Sequence, residues 1–568
     1  MDISYVIKKN EKLINFFLIF SLIFYPFVFI WQCGDLTDTG YAAYIYDNFF
    51  SNLNDGKIFS LVFLNDLIGA TWFKMFPNLG IIALKLLYLL FLYPIIFVIF
   101  EILKNFTNNK TLVLFSIFCG IVFAERCFNF VFTKDISSWF FLILSSYFLI
   151  KGIEQEKQKH IFFSGMLLFL SCLCRFPSII SILICPAILF YKFFYKVDKN
   201  AKDQFKILLK TYSFFLIGFI LSFTLFVVIL KFTNLSNVFF NNFYSVNELS
   251  QNSYSPFLLL IKIAKEFCFF IPCAIVVISF LTLSSVIYKY SLKQNNLIYF
   301  CVYVLLVLSL TMILDHDFTY FNKIMYLVPA FCLLPLLFSL INKDKFSTAI
   351  LVCLMYTVSQ VFGTNTGFFL KLLYGLMILF PLSIIILANY KVMVINKLRF
   401  LTLPFSITGI VVIVFISILV RLSWIYHVST GVKNRISARF YVNNEKMKGI
   451  LTTYQNSVYI EDLCEAINNS IKSNNSLFIY GHQPIFYYLT NKKAVIDNFW
   501  MSDNMQQSEE LFIKINKNII KTKKWPLIVD TKNNVLGESG EKHLKKFLKQ
   551  NNYYCKINNP NFNIWIKN

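Results

Sequence analysis

The sequence predicts a polytopic α-helical membrane protein of about thirteen transmembrane helices, carrying a small C-terminal α/β domain on the extracytoplasmic side. Three observations predict it. Of 568 residues, 57% are apolar and only 15% charged, with a mean hydropathy of +0.62, whereas a soluble chain carries about 25% charged residues. The apolar residues fall in blocks of about 17–25, the length at which one helix crosses about 30 Å of hydrocarbon. These blocks lack the alternation of barrel strands, and a helix satisfies its own backbone in lipid. From residue 430 onward the composition turns polar and charged, as a water-exposed domain requires.

The elements follow in order. Residues 1–12 hold Lys8, Lys9 and Lys12 ahead of the apolar run 13–32. That run lacks a small-residue cleavage site and reads as an uncleaved first span with its N-terminus inside. Further spans are predicted at 80–103, 111–127, 136–152, 160–174, 177–194, 207–232, 267–288, 297–314, 325–341, 347–362, 370–389 and 401–424. Every loop that this register places inside is basic, among them those with Lys104 and Lys110, with Lys192, Lys196 and Lys199, and with Lys391, Lys397 and Arg399. The outward segments 233–256 and 363–370 contain no Lys or Arg. That asymmetry follows the positive-inside rule, and an odd number of spans puts the tail outside.

The net charge of +23 is therefore spread over short clusters between apolar blocks. Such scatter marks topology, together with a compositional bias toward Lys, Asn, Ile and Phe, and not a nucleic-acid surface. Segments 54–78 and 255–266 are apolar but charged, with Asp55, Lys57, Asp66 and Lys74 in the first and Lys262, Lys265 and Glu266 in the second. They suit amphipathic helices lying in the outer interface. The first domain thus covers 1–425, with loop helices within 33–78, and the second covers 426–568. In the tail, Ser476–Tyr480 and Pro526–Asp530 read as buried strands, and 459–472, 505–522 and 540–551 as helices, the alternation of a small α/β domain. Eleven of thirteen cysteines precede residue 430, where they act as small hydrophobes. Only Cys464 and Cys555 lie in the tail; an outer location permits a disulfide between them without demanding one. No Cys or His spacing indicates zinc.

Chemistry-bearing residues gather in the outward segments. Directly after the first span stands Gly34-Asp35-Leu36-Thr37-Asp38-Thr39-Gly40-Tyr41. Asp35 and Asp38 can share a divalent ion such as Mg or Mn, or one of them can accept a proton from an attacking hydroxyl; equally, Asp38 can cap the following helix. Asp135 opens the fourth span on the same side, as a second acid or as a loop charge paired with Lys134 or Arg126. Arg175, in Cys172-Leu-Cys-Arg-Phe-Pro177, lies between two apolar blocks, where a charge is costly unless it meets an anion or snorkels to headgroups. Asp315-His316-Asp317 with Lys323 fills a later outward segment, either as a polar hairpin or as a donor set for phosphate. Acids and cations on one face suit group transfer from a lipid phosphate, in which a carboxylate activates the acceptor and cations stabilise the leaving phosphate.

With these residues in place the chain resembles the GT-C superfamily of membrane glycosyltransferases. The acidic motif Asp35–Tyr41 in the first outer loop, Asp135 near the fourth span, and the tail segment Phe478-Ile-Tyr-Gly-His482-Gln-Pro-Ile-Phe-Tyr-Tyr488-Leu-Thr490 carry that resemblance. The layout is similar to aminoarabinose transferases and protein O-mannosyltransferases. No Asp-Asp or Asp-Glu pair occurs at residue 38, and no Trp-Trp-Asp in the tail, which separates the chain from oligosaccharyltransferases. The resemblance implies a bacterial inner-membrane enzyme acting on a polyprenyl-phosphate sugar donor and a glycan, lipid or protein acceptor. It implies inverting displacement, with Asp38 as general base, Asp35 or Asp135 orienting the acceptor or a metal, and Arg175, His316 or Lys323 holding the donor phosphate.

Three other readings compete. A polysaccharide polymerase or ligase of the O-antigen type would concentrate function in a large loop between spans, and the long tail argues against it. A transporter or flippase would place ionisable residues at mid-membrane, whereas here the charges crowd the outer ends of spans. A non-enzymatic envelope scaffold is the third alternative.

Overall fold

In the computed structural model, the described residues are 10–32, 36–54, 60–124, 131–194, 201–251, 260–275 apart from 262, 269 and 273, 322–341, 347–362, 368, 372–389, 394–395, 398–399, 437–470, 476–481, 483–496, 509–532 and 538–567. Helices dominate the first part: α1 (Glu11–Val28), α2 (Asp38–Asn54), α3 (Phe63–Met75), α4 (Ile81–Leu103), α5 (Lys110–Ala124), α6 (Lys134–Glu154), α7 (Gln158–Cys174), α8 (Ile180–Phe194), α9 (Ala201–Phe232), α10 (Ser236–Gln251), α11 (Asn322–Ile341), α12 (Ser347–Ser359) and α13 (Leu376–Asn389). Ten of the thirteen predicted spans coincide with helices, namely α1, α4 to α9 and α11 to α13. The described part of 267–288 is helical, and 297–314 and 401–424 lie outside the described residues.

By length and composition, four described helices can cross a membrane: α1, α4, α6 and the stretch Lys202–Phe232 of α9. They divide by environment. In α1 and α9 most residues face outward, including Phe16, Phe17, Leu225 and Phe232, as lipid contact requires, whereas α4 and α6 are largely enclosed. Apolar attraction between helices is weak in lipid, so close backbone approach and polar contacts hold the bundle. Both occur. A Cβ on Gly165 would overlap the Phe215 carbonyl, and one on Gly218 would overlap that of Phe162, so α7 and α9 meet through reciprocal glycines. Between α6 and α7, Ser145 and Ser164 lie 3.0 Å apart, as do Ser138 and Ser171 at 2.9 Å. Each pair recurs one heptad on, which keeps a buried hydroxyl seam on facing sides of two helices.

The first outer segment forms helices α2 and α3, joined through the short 3-10 turn Ser60–Val62. The segment 233–256, expected as a loop, contains α10. Leu235, Val238 and Phe239 follow the three-and-four spacing of an apolar stripe. Phe239 packs edge-on against Phe63, and its carbonyl accepts from the Ser60 hydroxyl at 2.7 Å.

In the tail, β1 (Phe440–Tyr441) pairs with β2 (Leu451–Thr452). A four-stranded sheet follows, built of β3 (Leu477–Tyr480), β4 (Leu527–Asp530), β5 (Tyr553–Asn558) and β6 (Asn563–Lys567) in the order β3-β4-β6-β5. β3 and β4 are parallel, and the other two pairs are antiparallel. β3 is buried along its whole length, as a strand covered on both faces must be. Helices α14 (Tyr454–Ser470), α15 (Ile485–Leu489), α16 (Glu509–Thr522) and α17 (Glu538–Gln550) accompany the sheet, with Phe512 of α16 edge-on to Phe478 and tilted against Phe547. The hairpin of β5 and β6 was not anticipated from sequence. Cys464 is buried in α14 and Cys555 is exposed on β5, both as free thiols.

Candidate active site

Asp38 opens α2 and is exposed in its first turn. Three residues on, Tyr41 lies within the electrostatic reach of both Asp38 and Asp66; burial first, then these two charges, push its hydroxyl up from the ordinary value. Asp66, on α3, is only 5% exposed. Burial pushes its carboxyl up to about 7, against the pull of the Asn65 amide and the Lys134 ammonium. Asn65 donates to Asp66 at 3.0 Å and to the Tyr46 hydroxyl at 2.8 Å, and accepts from Ser137 on α6 at 2.9 Å. One asparagine therefore ties α2, α3 and the head of α6 into a single polar cluster.

Beside this cluster, Asp135 meets Arg175. Arg175 Nε stands 3.2 Å from Asp135 Oδ1, with the arginine 4% and the aspartate 15% exposed. Its other nitrogens are engaged as well: Nη1 donates to the Gln360 carbonyl at 2.6 Å and to Gln360 Oε1 at 3.0 Å, and Nη2 to the Phe362 carbonyl at 3.1 Å. The residue sits at the corner where α7 gives way to a 3-10 turn over Phe176–Ile179. Sequence reading assigned Asp135 and Arg175 separate roles and offered Lys134 or Arg126 as partners for the acid. The structure joins the two residues, 40 positions apart, in one ion pair.

The remaining predicted residues are placed unevenly. Asp35 and His316 lie outside the described residues, and Lys323 falls in α11. Among the described residues no group of three or more His, Cys, Asp or Glu side chains could hold a metal ion. Of the predicted Asp35 and Asp38 pair only Asp38 is described, and Asp135 is paired with Arg175. Asp66, Asn65 and Lys85 were missed as functional candidates. Lys85 is 1% exposed at the head of α4 and donates to the Gln32 carbonyl at 2.5 Å. A lysine inside an otherwise apolar run was the signal that could have marked it.

The tail reaches the same place. Ile485 N donates to the Leu36 carbonyl at 3.2 Å, Ala494 N donates to the Tyr44 hydroxyl at 3.0 Å, and the rings of Tyr44 and Tyr487 are 5.6 Å apart. Tyr488 packs on Phe73 of α3. Helix α2 thus lies between the polar cluster on one side and the tail on the other.

No family model matches the chain, and no curated protein matches it. Among solved structures it is similar to ArnT from Cupriavidus metallidurans in the apo state, with a TM-score of 0.52 and 10% identity over 98% of each chain. A crystal structure of the same protein bound to undecaprenyl phosphate gives 0.48 and 11%, covering 96% of this chain and 97% of that one. The fold is GT-C-like. Because the GT-C-like match to the apo structure extends over nearly the whole of both chains, it takes in the helical bundle and the tail together. The apolar helices of that fold make the chain a membrane protein.

Proposed function

We propose that this chain is a membrane glycosyltransferase that moves a sugar from a polyprenyl-phosphate donor to a glycan, lipid or protein acceptor at the outer face of a bacterial inner membrane. The observation that carries the reading is the position of Asp38: exposed at the head of α2, one turn before Tyr41, whose hydroxyl feels the charges of both Asp66 and Asp38, on a helix where the loop helices, the head of α6 and the tail converge. In the proposed step the Asp38 carboxylate takes the proton of the acceptor hydroxyl as its oxygen attacks the anomeric carbon. The bond from that carbon to the phosphate oxygen breaks with inversion, and the electron pair leaves with the polyprenyl phosphate. Cations at the outer face, Lys134 together with His316 and Lys323, would stabilise the charge that builds there. Asp35 would orient the acceptor. Arg175, with its nitrogens already engaged, would act by holding Asp135 in place beside the site. A carboxyl near neutrality suits general acid–base work, so Asp66 would supply a second proton-handling group within electrostatic reach of Tyr41.

The test is an assay of membranes containing the wild-type chain or Asp38→Asn with a panel of polyprenyl-phosphate sugars, at matched protein levels. The substitution preserves shape and removes basicity, so turnover is expected to fall about 10²–10⁴-fold. Unchanged turnover in the variant would sink the assignment.

A further inference from the structure

The tail motif around Gly481 and Tyr488 has no part in the step just described, yet it packs closely on the helix that presents Asp38. Those contacts are spaced along one side of the chain. Leu451 N donates to the Trp31 carbonyl at 2.7 Å, before the acidic loop, and Ile485 N donates to the Leu36 carbonyl within it. One turn further, a Cβ on Gly40 would overlap the backbone N and Cα of Ile485. Next comes Tyr44, bonded to Ala494 and packed on Tyr487. Last is Asp47, paired with Lys446 Nζ at 3.1 Å. Lys446 also donates to the Tyr488 carbonyl at 2.9 Å and to Asn491 Oδ1 at 2.5 Å, and its ammonium lies 3.9 Å from the centroid of the Tyr488 ring. Positions 36, 40, 44 and 47 share one face of a 3.6-residue helix, so the tail grips α2 along its length while the opposite face, through Tyr46, meets Asn65.

We infer that the turn 483–494 and Lys446 are the positioning element of the site: they fix the register and tilt of α2, and so the place of Asp38, without touching substrate. This rests on the reading of Asp38 as the general base. Gly40 separates that role from simple helix stability. Alanine is the better helix former, so Gly40→Ala strengthens α2 as an isolated helix and harms only its seat on Ile485. Lys446→Met keeps the stem of the side chain and removes the ammonium that joins Asp47 to the tail.

The experiment uses the full chain in detergent and in membranes. Amide hydrogen exchange over 36–47 is compared with exchange over α4 in the wild type, Gly40→Ala, Lys446→Met and Lys446→Arg, and turnover is measured on the same donor panel. The expected result is exchange over 36–47 faster by about tenfold in the first two variants with α4 unchanged. A fall in kcat of about 10²-fold with little change in donor KM should accompany it. Lys446→Arg should recover part of both. Unchanged exchange over 36–47 overturns the inference, as does faster exchange with unaltered kcat, and so does loss of protection in α4 along with α2. If Gly40→Ala does not fold, Lys446→Met decides. Should the wild type turn over no donor, the glycosyltransferase reading fails, and exchange alone decides whether the tail fixes α2.

Discussion

A carboxyl enclosed by tyrosines keeps its proton until the cost of ionisation is met elsewhere. Asp66 is in that position, with Asn65 and the Lys134 charge offsetting part of the cost and the burial of its own group prevailing. The sign of its effect follows. The folded carboxyl binds a proton up to about pH 7, whereas its ordinary value is 3.8. Between these values the folded state holds more protons than the unfolded, so stability falls as pH rises through the window, by up to about 1.4 kcal/mol per unit, and the penalty is complete above it. Asp66→Asn, which still accepts from Asn65, should therefore gain thermal stability over the wild type at pH 8 and little at pH 4. Melting curves in detergent at several pH values would check this; a constant difference would place the ionisation of Asp66 outside the window. The residue was legible in sequence only as one charge of an amphipathic segment. Its neighbour Asn65 is held by Tyr46 and Ser137, 19 and 72 positions away, and no local pattern carries that.

At the scale of elements, Arg175 joins three: the head of α6 through Asp135, the end of α7 on which it stands, and the turn after α12 through Gln360 and Phe362. Removing one partner of a buried pair leaves the other charge without compensation, which typically costs about 3–5 kcal/mol. Arg175→Met should accordingly lower the melting temperature sharply, and adding Asp135→Leu should recover much of the loss. A double variant as unstable as the single one would show that the carbonyl contacts, not the ion pair, hold the corner. The sequence marks this point with Pro177, and the 3-10 turn is there. What it could not supply was the partner, because charge spacing along a chain says nothing of which helix ends meet. The spans were legible for the opposite reason: lipid imposes length and apolarity on each helix separately, so α4, α6 and α9 announce themselves without reference to neighbours.

For the whole molecule, the contacts of Leu36, Tyr44 and Asp47 put the tail and the first loop together, and the proposed site requires that both face outward. An impermeant maleimide added to intact cells should then label the exposed Cys555, while Lys199→Cys should react only after permeabilisation. The reverse pattern would dismantle the site. The α/β character of the tail could be read from two apolar runs, Leu477–Tyr480 and Leu527–Asp530, but not the order of its strands, since the third and fourth are mostly exposed or half-buried. That order matters for assembly. Among the described residues, strand β6 lies between β4 and β5, and β5 pairs only with β6. The sheet consequently cannot zip up in the order of translation: β5 emerges with nothing to pair with and must wait for Asn563–Lys567 to slot in beside β4. Any chain that stops short of residue 563 would leave two open edges facing solvent, an invitation to aggregation.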